Sequence, residues 1–228
     1  MRFLLALAFF SGTAFGYTSD LNVAFGPYYG GGTTLDSGSV RSSSGYSVLV
    51  DRNYQVSPNW AIGPRLELTN GFLGTRHETD GTVELGTYDH RIVAAGFRLS
   101  RPVGTSSTMA QGLYFAAVAG RSYSKLQLDV SSDTVFEQNQ YSGISGTYYS
   151  GELGAWIPLH DSFGINFSLL SSLHEVDLTA AKGTYEGDEL VDGQLRLTQG
   201  TKDHAESGLA DRTTLRSHAI RLTISLGF

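Results

Sequence analysis

From Ala219 to Phe228 apolar and polar residues alternate without a break: Ile220, Leu222, Ile224, Leu226 and Phe228 fall on one parity, Ala219, Arg221, Thr223, Ser225 and Gly227 on the other. A period of two is the signature of a β-strand, whose successive side chains point to opposite faces, whereas a helix would scatter the five large apolar side chains around its circumference. One face of this strand is hydrocarbon and the other carries an arginine. It therefore belongs at a boundary between an apolar medium and a polar space.

The same period recurs upstream and predicts eight strands. The first runs from about Asp20 to Tyr29, with Leu21, Val23 and Phe25 on the apolar face, and the second from Gly45 to Val56, with Tyr46, Val48, Val50 and Tyr54. The third, Trp60 to Asn70, presents Trp60, Ile62, Pro64, Leu66 and Leu68; the fourth, Thr87 to Arg101, presents Val93, Ala95, Phe97 and Leu99. The fifth spans Gln111 to about Val130, and its parity stays open because Leu113, Phe115 and Ala117 compete with Tyr114, Ala116 and Val118. The sixth, Tyr141 to Leu159, turns Tyr149, Leu153, Ala155 and Ile157 to the apolar side; the seventh, Phe163 to Leu178, turns Phe163, Ile165, Phe167, Leu169 and Leu173 there. The alternating C-terminal segment is the eighth.

No stretch after Tyr17 approaches the roughly 20 apolar residues of a membrane helix. Strands of about 9–11 residues can still cross, with half their side chains polar, and the mean hydropathy of -0.12 fits that economy. A soluble up-and-down barrel shares the period but would turn its apolar face inward. Connections alternate long and short. Ser57-Pro58-Asn59, the Pro102 to Met109 link and His160-Asp161-Ser162 are short, while polar or glycine-rich stretches after Tyr29, from Gly71 to Gly86, around Asp133 to Gln140 and from Thr179 to Asp211 are read as long loops. Tyr54, Trp60, Phe163 and Phe228 collect near the short-turn ends, where an interfacial aromatic girdle belongs.

At the other end Met1-Arg2 is positive, Phe3 to Phe10 is apolar, and Ala14-Phe15-Gly16 is a small-x-small site, so residues 1–16 read as a cleaved export leader and 17–228 as the mature domain. The chain has no Cys, which fits export without requiring it. The net charge of -6 and the absence of a Lys/Arg run argue against nucleic acid as a partner.

With leader, strand count, loop alternation and the terminal Leu226-Gly227-Phe228, the chain resembles the small eight-stranded outer-membrane barrels of the OmpA-transmembrane-domain and OmpX type. That resemblance implies an all-β antiparallel up-and-down transmembrane barrel in a bacterial outer membrane, with short periplasmic turns and long extracellular loops. Ile224, Leu226 and Phe228 would then be the signal read by the barrel-assembly machinery. The implied partners are outer-membrane lipids, that machinery and an extracellular protein, the barrel itself being a monomer. Fold does not dictate function in this group, which includes anchors, adhesins, narrow channels and lipid-modifying enzymes.

The inward parity gathers Asp51, Arg65, Glu67, Arg98, Glu152 and Arg221, together with Asn22, Gln55, Asn166, Ser168 and Thr223. An eight-stranded barrel is filled by its own side chains, so these charges are expected to pair into a plug. A structural or surface-interaction role follows; a narrow porin-like channel is the alternative, and a lipid-modifying enzyme the third. Ser172 and His174 share a face as a nucleophile and base must, but it is the lumen face, with Glu175 on the other. His160-Asp161-Ser162 cannot stack into a triad from one tight turn. Asp188, Glu189 and Asp192 do not match a calcium loop, and Gly26 to Gly32 lacks the lysine and helix of a phosphate loop, so no catalytic residue, metal or cofactor is assigned. In the last long connection Asp192-Gly193, between alternating segments, predicts a hairpin that could stand above the membrane. Replacing Phe228 with Ser is expected to lower the amount of heat-modifiable barrel in the outer membrane; normal levels would show that the terminal aromatic is dispensable.

Overall fold

The computed structural model describes residues 19–34, 39–79, 82–102, 112–131, 136–160, 163–191, 194–203 and 211–227. Residues 1–16, expected to be a leader, the turn residues Asp161, Ser162, Asp192 and Gly193, and the terminal Phe228 lie outside them. Ten strands are present among the described residues: β1 (Ser19–Thr34), β2 (Ser39–Ser57), β3 (Trp60–Thr79), β4 (Thr82–Pro102), β5 (Gly112–Ser131), β6 (Phe136–His160), β7 (Phe163–Asp177), β8 (Lys182–Val191), β9 (Gln194–Asp203) and β10 (Arg212–Gly227).

Every pairing is antiparallel. β1 to β7 follow one another in order, β7 pairs with β10, and β10 returns to β1, closing a ring of eight. β8 and β9 form a hairpin outside the ring order. β8 takes over beside β6, pairing Phe136 to Ser142 with Asp188 to Lys182, where β7 has ended. The hairpin expected around Asp192-Gly193 is thus present as strands joined across those two residues.

The wall is inside-out relative to a soluble protein. Val93 (55%), Leu113 (57%), Leu153 (59%) and Leu169 (57%) are exposed, whereas Arg65 and Arg221, facing the lumen, are 1% exposed. The apolar parities read from the sequence all lie outside, and β5 resolves with Leu113 and Phe115 outward and Tyr114, Ala116 and Val118 inward. Tyr54, Trp60 and Phe163 stand at the short-turn end of the outer belt. Tyr29, Tyr46, Phe72, Tyr123 and Tyr149 mark its other edge, a second aromatic level that the sequence pattern alone does not separate out.

Above that second level the polarity inverts. On β5 the outward residues become Lys125 and Gln127, both exposed, while the inward ones change from Ser122 and Ser124 to Leu126. Leu126 joins Leu73, Tyr88, Tyr141, Ile144, Val176, Leu178, Ala181 and Leu215 in a buried apolar cluster that caps the lumen. The strands therefore pass from a hydrocarbon solvent into water, and the interior exchanges a mainly polar filling, with small apolar patches, for an ordinary hydrophobic core.

This corrects the long loops. The stretches after Tyr29 and from Gly71 to Gly86 are mostly strand: Gly30 to Thr34 pair with β10, and Gly71 to Thr79 pair with His90 to Thr82. Their glycines look like loop punctuation but permit close approach; a Cβ on Gly30 would collide with the His218 carbonyl oxygen. Strand β6 likewise starts at Phe136 rather than Tyr141.

Leu222 sits within the outward belt, with Ile220 on one side and Ile224 and Leu226 on the other. Leu222→Arg is expected to cost about 2–4 kcal/mol in urea titrations of the barrel refolded in lipid vesicles, against nearly nothing for Gln127→Arg above the belt. Equal tolerance of both would place the membrane elsewhere.

Candidate functional site

The six charged residues predicted for the lumen meet in one network. Arg65 grips Asp51 with two donors, Nε to Oδ1 at 2.6 Å and Nη2 to Oδ2 at 3.0 Å, and the Nη1 of Arg98 donates to the same Oδ2 at 2.9 Å. Arg221 donates Nη2 to Oε1 of Glu67 at 2.6 Å. Glu152 joins the two halves, its Oε2 accepting from Nη1 of Arg65 and, at 3.3 Å, from Nη1 of Arg221. Three guanidinium groups face three carboxylates, so the network is neutral as a whole. That balance matters because a single unpaired ion in such surroundings costs several kcal/mol, roughly.

Local sequence explains why the charges converge. Arg65 and Glu67 are two apart on β3 and so share its lumen face; Asp51 lies directly across from Arg65 in the β2–β3 register. Arg98, Glu152 and Arg221 arrive on the inward parities of β4, β6 and β10. Neutral groups complete the shell. Tyr114 donates to Oε1 of Glu152 at 2.9 Å, Ser168 donates to the same oxygen, and Thr69 donates to Oε1 of Glu67 at 3.1 Å. Glu152 thereby accepts four hydrogen bonds. The Arg98 guanidinium lies 4.0 Å from the Tyr114 ring centroid, a close cation–π contact.

Of these, Tyr114 escapes a reading of the sequence because the parity of β5 is open there. The signal that finds it is the run Lys125-Leu126-Gln127-Leu128 further along the strand, whose soluble-type alternation fixes the face once the inversion above the membrane is understood. Thr69 lies on the same parity as Arg65 and Glu67, but a lone threonine carries no chemical signal.

The lumen is filled on both sides of the network. Toward the short-turn end Trp156 donates to Ser225 at 2.5 Å, and Asn166 donates to Thr223 at 3.1 Å. Gly164 makes room for the indole; a Cβ there would stand 2.5 Å from Trp156 Cε2. Asn22, Ser168 and Thr223 face inward and are buried as expected, while Gln55 sits half-buried beside a β-bulge. Toward the other end Tyr28 Oη lies 2.9 Å from His90 Nε2, and the His174 ring packs edge-on against His90 and Tyr148, with centroids 5.4 and 5.5 Å apart. The apolar cap follows.

Ser172 and His174 do share the lumen side, as read, but they have separate partners. Ser172 hydrogen-bonds Ser217 at 2.7 Å, and Glu175, on the outer face, accepts from Thr147 at 2.9 Å. The Gly26 to Gly32 run is strand, paired on both edges, rather than loop. Side chains of Asp188, Glu189 and Asp192 lie outside the described residues.

A closed antiparallel ring of eight, apolar outside and ion-paired inside, is a membrane-spanning design. It has the architecture of a small outer-membrane β-barrel. Among solved structures the chain is similar to the outer membrane protein OprG of Pseudomonas aeruginosa, at 12% identity over 93% of this chain and 97% of that one, with a TM-score of 0.38. It is also similar to a major outer membrane protein of Thermus thermophilus (14% identity, 92% and 100% covered, TM-score 0.44). A third is Ail of Yersinia pestis, solved with the heparin analogue sucrose octasulfate (12%, 92% and 99%, TM-score 0.38). No protein-family model matches the chain, and no curated protein does.

Glu152→Ala removes the acceptor common to both halves and leaves the lumen with one excess positive charge. It is expected to destabilise the folded barrel by up to about 3–5 kcal/mol, less where water enters. Urea refolding in vesicles measures this, and a loss no larger than that of a surface alanine substitution would mean that the halves stand independently.

Proposed function

We propose that this protein is a monomeric, non-conducting outer-membrane barrel whose role is to hold a β-sheet above the membrane for surface interactions. The observation that carries the reading is the lumen, obstructed in sequence by the Trp156 and Asn166 contacts, the neutral ion network, the Tyr28–His90 level and the apolar cap. A channel would need a continuous polar path, and the cap supplies hydrocarbon instead.

The extension supports the second half of the proposal. Strands β3 to β6 continue beyond the aromatic level, β8 and β9 widen the sheet, and among the described residues β9 pairs on one edge only. Exposed strand edges accept partner strands, so an extracellular protein is the partner class this sheet suits. Export through the leader at 1–16 and insertion by the assembly machinery through Ile224, Leu226 and Phe228 belong to the same proposal. The separate partners of Ser172, His174 and Glu175 favour a role without catalysis.

Single-barrel recordings in planar bilayers test the reading. Wild-type protein should show no steady conductance, and Glu152→Ala should show brief openings as the plug loosens. Steady wild-type conductance, with Glu152→Ala altering only ion selectivity, would replace this proposal with a narrow channel.

A further inference from the structure

The outer wall is not uniformly covered. One row across the strands consists of Gly31 on β1, His218 on β10, Ser171 on β7, Gly151 on β6 and Ala117 on β5, each the register partner of the next. The adjacent row on the short-turn side is bulky throughout: Tyr29, Ile220, Leu169, Leu153 and Phe115. Gly31, Ser171 and Gly151, small residues beside this bulky row, leave a groove of about 880 Å³ on the membrane-facing surface, with His218 at its rim. Gly151 forms its floor, and a Cβ there would meet nothing within 4 Å.

The groove is oblique. It begins at Gly31 and His218, where the apolar belt of β10 gives way to polar residues, and ends at Phe115, well inside the belt of β5, whose first outward cation is Arg121. Strands tilted by about 35–45° carry such a row down through one leaflet. Its upper end opens onto the polar residues at the edge of the belt. His218 and Ser171 sit directly opposite each other, and Arg216 follows two residues further along β10; all three are exposed. On this face the acidic neighbour is Glu175, diagonal to Arg216, and its Oε2 already accepts from Thr147; no ion pair of Arg216 is present among the described residues.

We infer that this groove binds one phosphate-bearing lipid of the outer leaflet, an acyl chain lying along the Gly151 floor and the phosphate resting on Arg216, His218 and Ser171. The inference rests on the membrane reading above. Charge complementarity selects an anionic lipid over a second copy of this chain, because an approaching copy would bring the same cations to the same edge.

Native mass spectrometry on the barrel purified in a zwitterionic detergent, with added lipid A or phosphatidylcholine, tests it. Wild type should retain one lipid A and little phosphatidylcholine. Gly151→Phe, whose Cβ has open space and whose ring would occupy the groove, and the double variant Arg216→Gln/His218→Leu should each weaken retention about tenfold or more, the scale of one lost charge-assisted contact. Arg121→Gln, which removes a cation at the same belt edge away from the groove, should leave it unchanged. Equal retention of both lipids, unaltered retention in the two groove variants, or dimers that Gly151→Phe dissociates would each overturn the inference. Insertion of every variant into phosphatidylcholine vesicles, read by heat-modifiable mobility, checks the membrane reading separately.

Discussion

Eight strands make a cylinder whose interior is only wide enough for side chains, and every charged group placed inside must find its counter-charge there. The structure meets that constraint with a closed set of three arginines and three carboxylates, in which Asp51, Glu67 and Glu152 each accept from a guanidinium. Guanidinium planes suit the task because one group reaches two acceptors in fixed directions, as Arg65 does with Asp51 and Glu152. The lumen can then be polar, as the alternation demands once the outside is hydrocarbon, without being wet.

The second constraint is the change of solvent along each strand. Within the membrane the lumen is filled mainly by polar and ion-paired groups, with two small apolar patches among them (Ile92, Ala94, Val118 and Tyr148; Tyr28, Leu170 and Ala219), and cohesion comes chiefly from the hydrogen-bonded ring and the ion network. Beyond the aromatic level the ordinary hydrophobic effect returns, and Leu73, Leu126, Ile144, Val176 and Leu215 cluster as they would in a soluble domain. One barrel thus contains two cores of different character, one built around ion pairs and one around hydrocarbon, stacked end to end.

Much of this is legible in the residues. Alternation alone determines which side chains face inward on β2, β3, β4, β6 and β10, and those faces name all six members of the network. What stays hidden depends on register. That Asp51 faces Arg65, or that Glu152 reaches both Arg65 and Arg221, follows from cross-strand offsets that no local pattern encodes. The extent of the strands is underread for a different reason: Gly30, Gly32 and Gly71 carry turn propensity, yet here they let neighbouring backbones or the Tyr28 hydroxyl approach. The groove on the outer wall is likewise a product of register, since Gly31, Ser171, Gly151 and Ala117 are ordinary apart and meaningful only side by side.

The reach of the ion network across the chain bears on how the barrel comes into being. Glu67 and Arg221 are separated by 154 positions, and Arg65 and Glu152 by 87. Until β10 takes its place between β7 and β1, Arg221 is missing and the remaining set carries an excess negative charge in a half-built wall. Intermediate curls of strands are therefore electrically incomplete as well as open-edged, so ring closure and charge balance arrive in one step. A chain stalled before its last strand is marked as unfinished by its own uncompensated carboxylates.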